Sequence, residues 1–130
     1  MAVNPVLDQM STHLEFLGYE VTRDEEKVRA RHARNADLVL RPFEGGILFT
    51  SIFGCKDEAR KNRVGYLSLI NSLNQKAAVV RFYADEESDL FIEAWHPNSY
   101  DRVSFGHFMD LVNGDIDHLF TAPDVGRFLQ

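Results

Sequence analysis

Hydrophobic positions along the chain change period several times, and each change marks an element. Val6, Leu7, Met10, Leu14 and Leu17 recur at three- and four-residue intervals and predict a first helix. Asn4 is a favoured N-cap, Pro5 suits the first helical position, and Gly18 suits the position just past the end. Alternation follows. Val28, Ala30 and His32 alternate with Lys27, Arg29 and Arg31 over 27–33, and Leu38 and Leu40 share one face of a strand over 37–43. Glu44-Gly45-Gly46 reads as a tight turn into a strongly apolar strand over 47–53. The segment 19–23 either extends the first strand or forms a short strand of its own. A second helix is predicted from about Asp57 to Asn74. Strands over 78–84 and 90–95 follow, joined by the acidic turn Asp85-Glu86-Glu87-Ser88-Asp89 and closed by Pro97. Ser104 can cap a last helix in which Phe105, Phe108, Met109, Val112, Ile116, Leu119 and Phe120 form the clearest stripe of the chain. The order α-β-β-β-α-β-β-α, with short turns between neighbouring strands, predicts an antiparallel α+β fold.

The second helix is the unusual one. With Gly65 at zero, Leu69, Leu73, Tyr66, Ile70 and Leu67 cover roughly 40° to 200°, and Val64 stands near 260°. A helix packed on one sheet shows a narrower stripe. The excess is either core against another element, such as the last helix, or a surface for another chain. Asn74 and Asn71 fall at about 180° and 240°, inside or beside the apolar arc. An unpaired carboxamide there costs about 1–3 kcal/mol, so each is expected to have a partner. Asn74 is placed to end the helix, and Asn71 to bridge to main-chain groups of the following strand or turn. Val64, Leu67, Ile70, Asn71 and Asn74 form the candidate dimer or partner surface.

Composition narrows the class without naming a task. The 130 residues are expected to form a single domain, 45% hydrophobic with ten Phe, and hence globular. One cysteine, Cys55, excludes an intramolecular disulfide and suits a reducing compartment. No basic and apolar leader opens the chain and no apolar run nears about 18 residues, so a cytoplasmic protein is expected, with no membrane partner. The net charge of −6 lies wholly in the second part: residues 1–75 hold ten basic and ten acidic groups, and residues 76–130 hold four against ten. The basic positions Lys27, Arg29, Arg31, Arg34, Lys56, Arg60, Lys61 and Arg63 are interleaved with Asp24-Glu25-Glu26 and Asp57-Glu58, which neutralise their field. No nucleic acid is expected there; a solvated strand face or a contact for an acidic protein partner fits better.

Candidate chemistry is thin. His107 and His118, eleven residues apart, fall on one side of the last helix but about 16 Å apart along its axis, beyond the reach of one ion. His107 with Asp110 needs ligands from elsewhere. Asn113-Gly114-Asp115-Ile116-Asp117 lacks the ligand periodicity of a calcium loop and reads as an exposed turn of the helix. Cys55, near a helix start that can depress a thiol pKa, has no base beside it in sequence. No P-loop, dinucleotide or nucleophile-elbow motif occurs. No enzyme activity and no cofactor are expected. A small enzyme or metal-binding protein using His107 and Asp110 or Cys55 is the alternative of another class.

The helix end Leu69-Ile70-Asn71-Ser72-Leu73-Asn74, the strand with Arg81-Phe82-Tyr83, the acidic turn, and Leu90-Phe91-Ile92-Glu93-Ala94 together resemble the bacterial YbjN-domain family. The element order over nearly the whole chain is similar as well. The resemblance implies the fold of type III secretion chaperones: small, acidic, cytosolic homodimers that bind extended effector segments without catalysis. YbjN-family proteins are described as sensory-transduction regulators. A homodimer with a protein partner or client is therefore expected, as a regulator or as a dedicated secretion chaperone. Ile47, Phe49 and Phe53 are the candidate client groove.

Overall fold

The computed structural model describes residues 4–130. Helix α1 (Pro5–Phe16) starts where the sequence places it: the Asn4 side chain accepts from the Leu7 amide at 3.1 Å. Gly18, at φ +97°, turns the chain out of the helix, a conformation that suits glycine. Leu7, Met10 and Leu14 bury the inner face, while Leu17 stays partly exposed.

Six antiparallel strands form one sheet: β1 (Glu20–Asp24), β2 (Lys27–Arg31), β3 (Leu38–Phe43), β4 (Gly46–Phe53), β5 (Arg81–Ala84) and β6 (Leu90–Pro97), in the order β1-β2-β3-β4-β6-β5. The segment after α1 is thus a strand of its own, paired with β2 from Glu20↔Arg31 to Asp24↔Lys27. Between β3 and β4, Glu44 and Gly45 both take positive φ, the pair of conformations whose twist matches a tight hairpin. Gly46 is required for another reason: a Cβ there would come within 2.4 Å of the Trp95 ring and the His96 carbonyl.

Several expected boundaries move. The helix predicted from Asp57 to Asn74 is two, α2 (Asp57–Lys61) and α3 (Arg63–Lys76). Asn62 ends the first at φ −112°, ψ 67°, and caps the second by accepting from the Gly65 amide at 3.1 Å. The strand expected over 78–84 starts only at Arg81, because the amides of Ala78, Val79 and Val80 are turned onto one carboxylate. Asp115 Oδ2 accepts from all three, at 3.0, 2.8 and 3.0 Å, and Oδ1 accepts from Ala78 at 2.9 Å. Asp115 lies mid-way along α4 (Arg102–Thr121), which is continuous through it, and is 3% exposed. The run Asn113–Asp117 is therefore no exposed turn; only part of it faces solvent. Asp101 rather than Ser104 caps α4, accepting from the Ser104 amide at 2.8 Å, and that bond holds the Asp101 carboxyl below its usual range.

The core lies between one sheet face and the helices. Phe105, Phe108, Met109, Val112, Ile116 and Leu119 of α4 bury against Val28, Ala30, Leu38, Leu40, Ile47 and Phe49. Phe49 meets Phe108 edge-on at 5.1 Å, a favoured arrangement of aromatic rings. A last short helix, α5 (Val125–Phe128), sets Phe128 against Tyr66, and Leu129 bridges to Cys55. Among the described residues no helix is long and apolar enough to cross a membrane.

Candidate protein-binding surfaces

Alternation along the strands sends every second side chain to the face that no helix covers. On β4 these are Leu48, Thr50 and Ile52, which stand opposite Trp95, Glu93 and Phe91 of β6. Val39 and Arg41 of β3 continue the row, and Arg29 pairs with Val39 from β2. Tyr83 on β5 stacks on Phe91 at 5.3 Å. Ile52 is 56% exposed and Trp95 46%. The Trp95 ring lies over Gly46, and its indole N–H donates to the Phe43 carbonyl at 2.8 Å.

The rim of this face carries both signs, with Asp37 and Glu93 beside Lys27, Arg29 and Arg41. Glu93, 7% exposed, accepts from Arg81 Nε at 3.0 Å and from its terminal nitrogen at 2.6 Å. That buried carboxylate is thereby paired, as burial demands. Burial, and then Glu93, push the Tyr83 hydroxyl pKa up. Lys27, Arg29 and Arg41 have no carboxylate within ion-pair distance among the described residues. Together with Val39, Thr50, Ile52, Phe91 and the 35–37 loop they border a groove of about 590 Å³.

Of the expected groove residues Ile47, Phe49 and Phe53, the first two lie on the other face, while Phe53, at the end of the strand, also lines this groove. Ile47 is fully buried and Phe49 1% exposed beneath α4, and Phe53 is half-buried against Phe120 at 5.4 Å. One residue of register separates Ile47 and Phe49 from the open face, which is enough to turn both inward. The available surface is built instead from the even-numbered positions of the same strand.

On α3 the expected partner surface divides. Val64 is 82% exposed and Leu67 44%, with the exposed Asn71 one turn on. Ile70 is 6% exposed and belongs to the core with Tyr66 and Leu73. The apolar arc is wide because it carries both core residues and exposed ones. Asn74 does not end the helix, which runs on to Lys76. Its carboxamide lies beside edge strand β5, donating to the Phe82 carbonyl and accepting from the Phe82 amide, both at 2.9 Å. It is Asn74, not Asn71, that ties the helix to the next strand.

The residues weighed for catalysis or metal binding are dispersed. His107 and Asp110 are exposed on α4, and no group of three His, Cys, Asp or Glu side chains is placed to hold an ion among the described residues. Cys55 is 3% exposed, and its thiol donates to the Glu87 carbonyl at 3.6 Å. Burial raises its pKa above the ordinary value, opposite to what a helix start promised.

Two solved structures share this fold. Over the whole chain, and 99% of the other, the structure superposes on YbjN from E. coli, a candidate transcription regulator, with a TM-score of 0.75 and 14% identity. The chain has a YbjN-like fold. A chain of the heterodimeric ExoU–SpcU complex, from the type III secretion system of Pseudomonas aeruginosa, matches with a TM-score of 0.56 and 22% identity, over 80% of this chain and 88% of that one. The YbjN-like architecture is thus shared with a secretion-system component, and the α+β antiparallel class read from the element order holds. No family model and no curated protein matches the sequence.

Proposed function

We propose that the chain is a non-enzymatic protein-binding module, a cytoplasmic homodimer, that holds an extended acidic and apolar segment against the open face of its sheet. The observation that carries this reading is the juxtaposition of Val39, Ile52 and Phe91 with three cations that have no acidic partner among the described residues, Lys27, Arg29 and Arg41. Apolar burial supplies affinity, and complementary charge selects the partner and sets the register. An extended segment repeats every two residues, so one that alternates acidic and apolar side chains matches both features. The dimer is formed through Val64, Leu67 and Asn71 of α3, an apolar strip outside the sheet groove. A module of this kind serves a regulator or a chaperone equally well.

The second reading, a dedicated secretion chaperone, is favoured by the likeness to the ExoU–SpcU chain. A neighbouring gene for a secreted protein that binds this chain would separate it from the regulator.

Selection from a random peptide display library, on the natural chain and on Ile52→Asp, tests the main reading. Recovered peptides are expected to alternate acidic and apolar residues and to lose binding to Ile52→Asp. Peptides without acidic residues, or indifferent to that substitution, would overturn it.

A further inference from the structure

A separate concavity of about 410 Å³ lies between α1 and the start of α4, away from the open sheet face. Thr12, His13 and Phe16 come from α1; Tyr100 and Arg102 come from the turn into α4. His13 is 8% exposed, its Nδ1 sits 2.8 Å from the Tyr100 hydroxyl, and its ring packs edge-on against Phe105 at 5.0 Å. Gly106 leaves room along the other ring edge: a Cβ there would stand 3.8 Å from Nε2 and Cε1. No hydrogen bond among the described residues uses Nε2, and no fully buried side-chain nitrogen or oxygen among them lacks a partner. His13 Nε2 therefore lies beside Gly106 with some solvent access, on a residue that lines the concavity.

Charge here is cationic and unspent. Arg102 lies over the Phe16 ring at 5.8 Å and has no carboxylate partner among the described residues. Asp8, the acid at the rim, pairs with Arg23 instead. Burial first, and Arg102 second, push the His13 pKa down, which favours the neutral imidazole. A Tyr100 hydroxyl that donates to Nδ1 would leave the ring proton on Nε2, free to donate to a ligand. Phe16, 75% exposed, is a large apolar ring with little of the protein against it.

We propose that this concavity binds a small aromatic carboxylate, its ring seated between Phe16 and Tyr100 and its oxygens taken by Arg102 and the His13 Nε2–H. Arginine and a neutral imidazole N–H both donate to a carboxylate, and the charged one gives the stronger bond. The two aromatic walls stack on the ligand ring. Neither group belongs to the protein-binding surfaces, so the site can be occupied independently of a partner.

Titration of the ¹⁵N-labelled full chain with phenylacetate, followed by amide chemical shifts, tests the site, with phenylacetamide and phenethylamine as controls. Saturable shifts at His13, Phe16, Tyr100 and Arg102 are expected, with a Kd on the order of a millimolar or below. Both controls should bind at least about tenfold more weakly, and Arg102→Gln, on an exposed position, should weaken phenylacetate by about tenfold while leaving phenylacetamide unchanged. Phe16→Ser should weaken all three. Non-saturating shifts, equal binding of the amide, or phenylacetate binding indifferent to Arg102→Gln would overturn the proposal.

Discussion

Asn74 and Phe82 face each other as two peptide groups do in a sheet: the carboxamide accepts from one amide and donates to one carbonyl, both at 2.9 Å. Because β5 is an edge strand, those are backbone groups that a further strand would otherwise use. One side chain on α3 thus closes that edge. Asn74→Ala is expected to lower stability by about 1–2 kcal/mol in urea unfolding and to raise the chain's tendency to self-associate at high concentration. Unchanged monomer stability would return Asn74 to the role of a contact residue.

Asp115 does comparable work for the α3–β5 link, gathering three consecutive amides onto one buried carboxylate. Asp115→Asn places an NH₂ donor among those amide donors. It is expected to cost about 2–4 kcal/mol, with hydrogen exchange accelerating first at Ala78, Val79 and Val80.

Tyr66 is fully buried, donates to the Ser88 carbonyl at 2.6 Å, and burial is the main cause that pushes its pKa to about 12. A folded pKa above the unfolded value of about 10 means that the stabilisation is complete below pH ~10 and disappears as pH climbs toward 12. The natural chain should lose about 2–3 kcal/mol more than Tyr66→Phe across that window, as read by denaturant midpoints. At neutral pH the order reverses, with Tyr66→Phe weaker by about 1 kcal/mol.

Val64 and Leu67 are the apolar groups that α3 leaves uncovered. Light scattering at micromolar concentration is expected to give a dimer for the natural chain and a monomer for Val64→Asp with Leu67→Asp, with unchanged helical circular dichroism. A clean monomer for the natural chain would remove the dimer from the account.

What could be read from sequence was local. The α1 cap at Asn4, the Glu44–Gly45 turn, the α4 stripe and the hairpin after Asp85 all have short-range causes, and each stands within a residue or two of its expected place. Contacts between distant residues were hidden. Nothing near Ala78 in sequence announces Asp115, 37 positions on, so the local pattern predicts a strand where the backbone bends to a carboxylate. The break at Asn62 was masked by apolar spacing that continues across it. At the candidate surface, Ile47 and Phe49 were recognised as apolar strand residues, but the side of the sheet that the helices would cover could not be read. The alternating basic positions of β2 did carry a signal: they mark the face left open, and with Val39, Ile52 and Phe91 they outline the groove.

The central claim concerns that groove. The most direct measurement is amide chemical-shift mapping of the labelled chain with a peptide from the display selection, repeated with its acidic residues replaced by glutamine. The account predicts shifts concentrated on Arg29, Val39, Arg41, Ile52 and Phe91, and binding weakened about tenfold or more by the glutamine peptide. Shifts centred on α1 or α4, or equal binding of the two peptides, would contradict it.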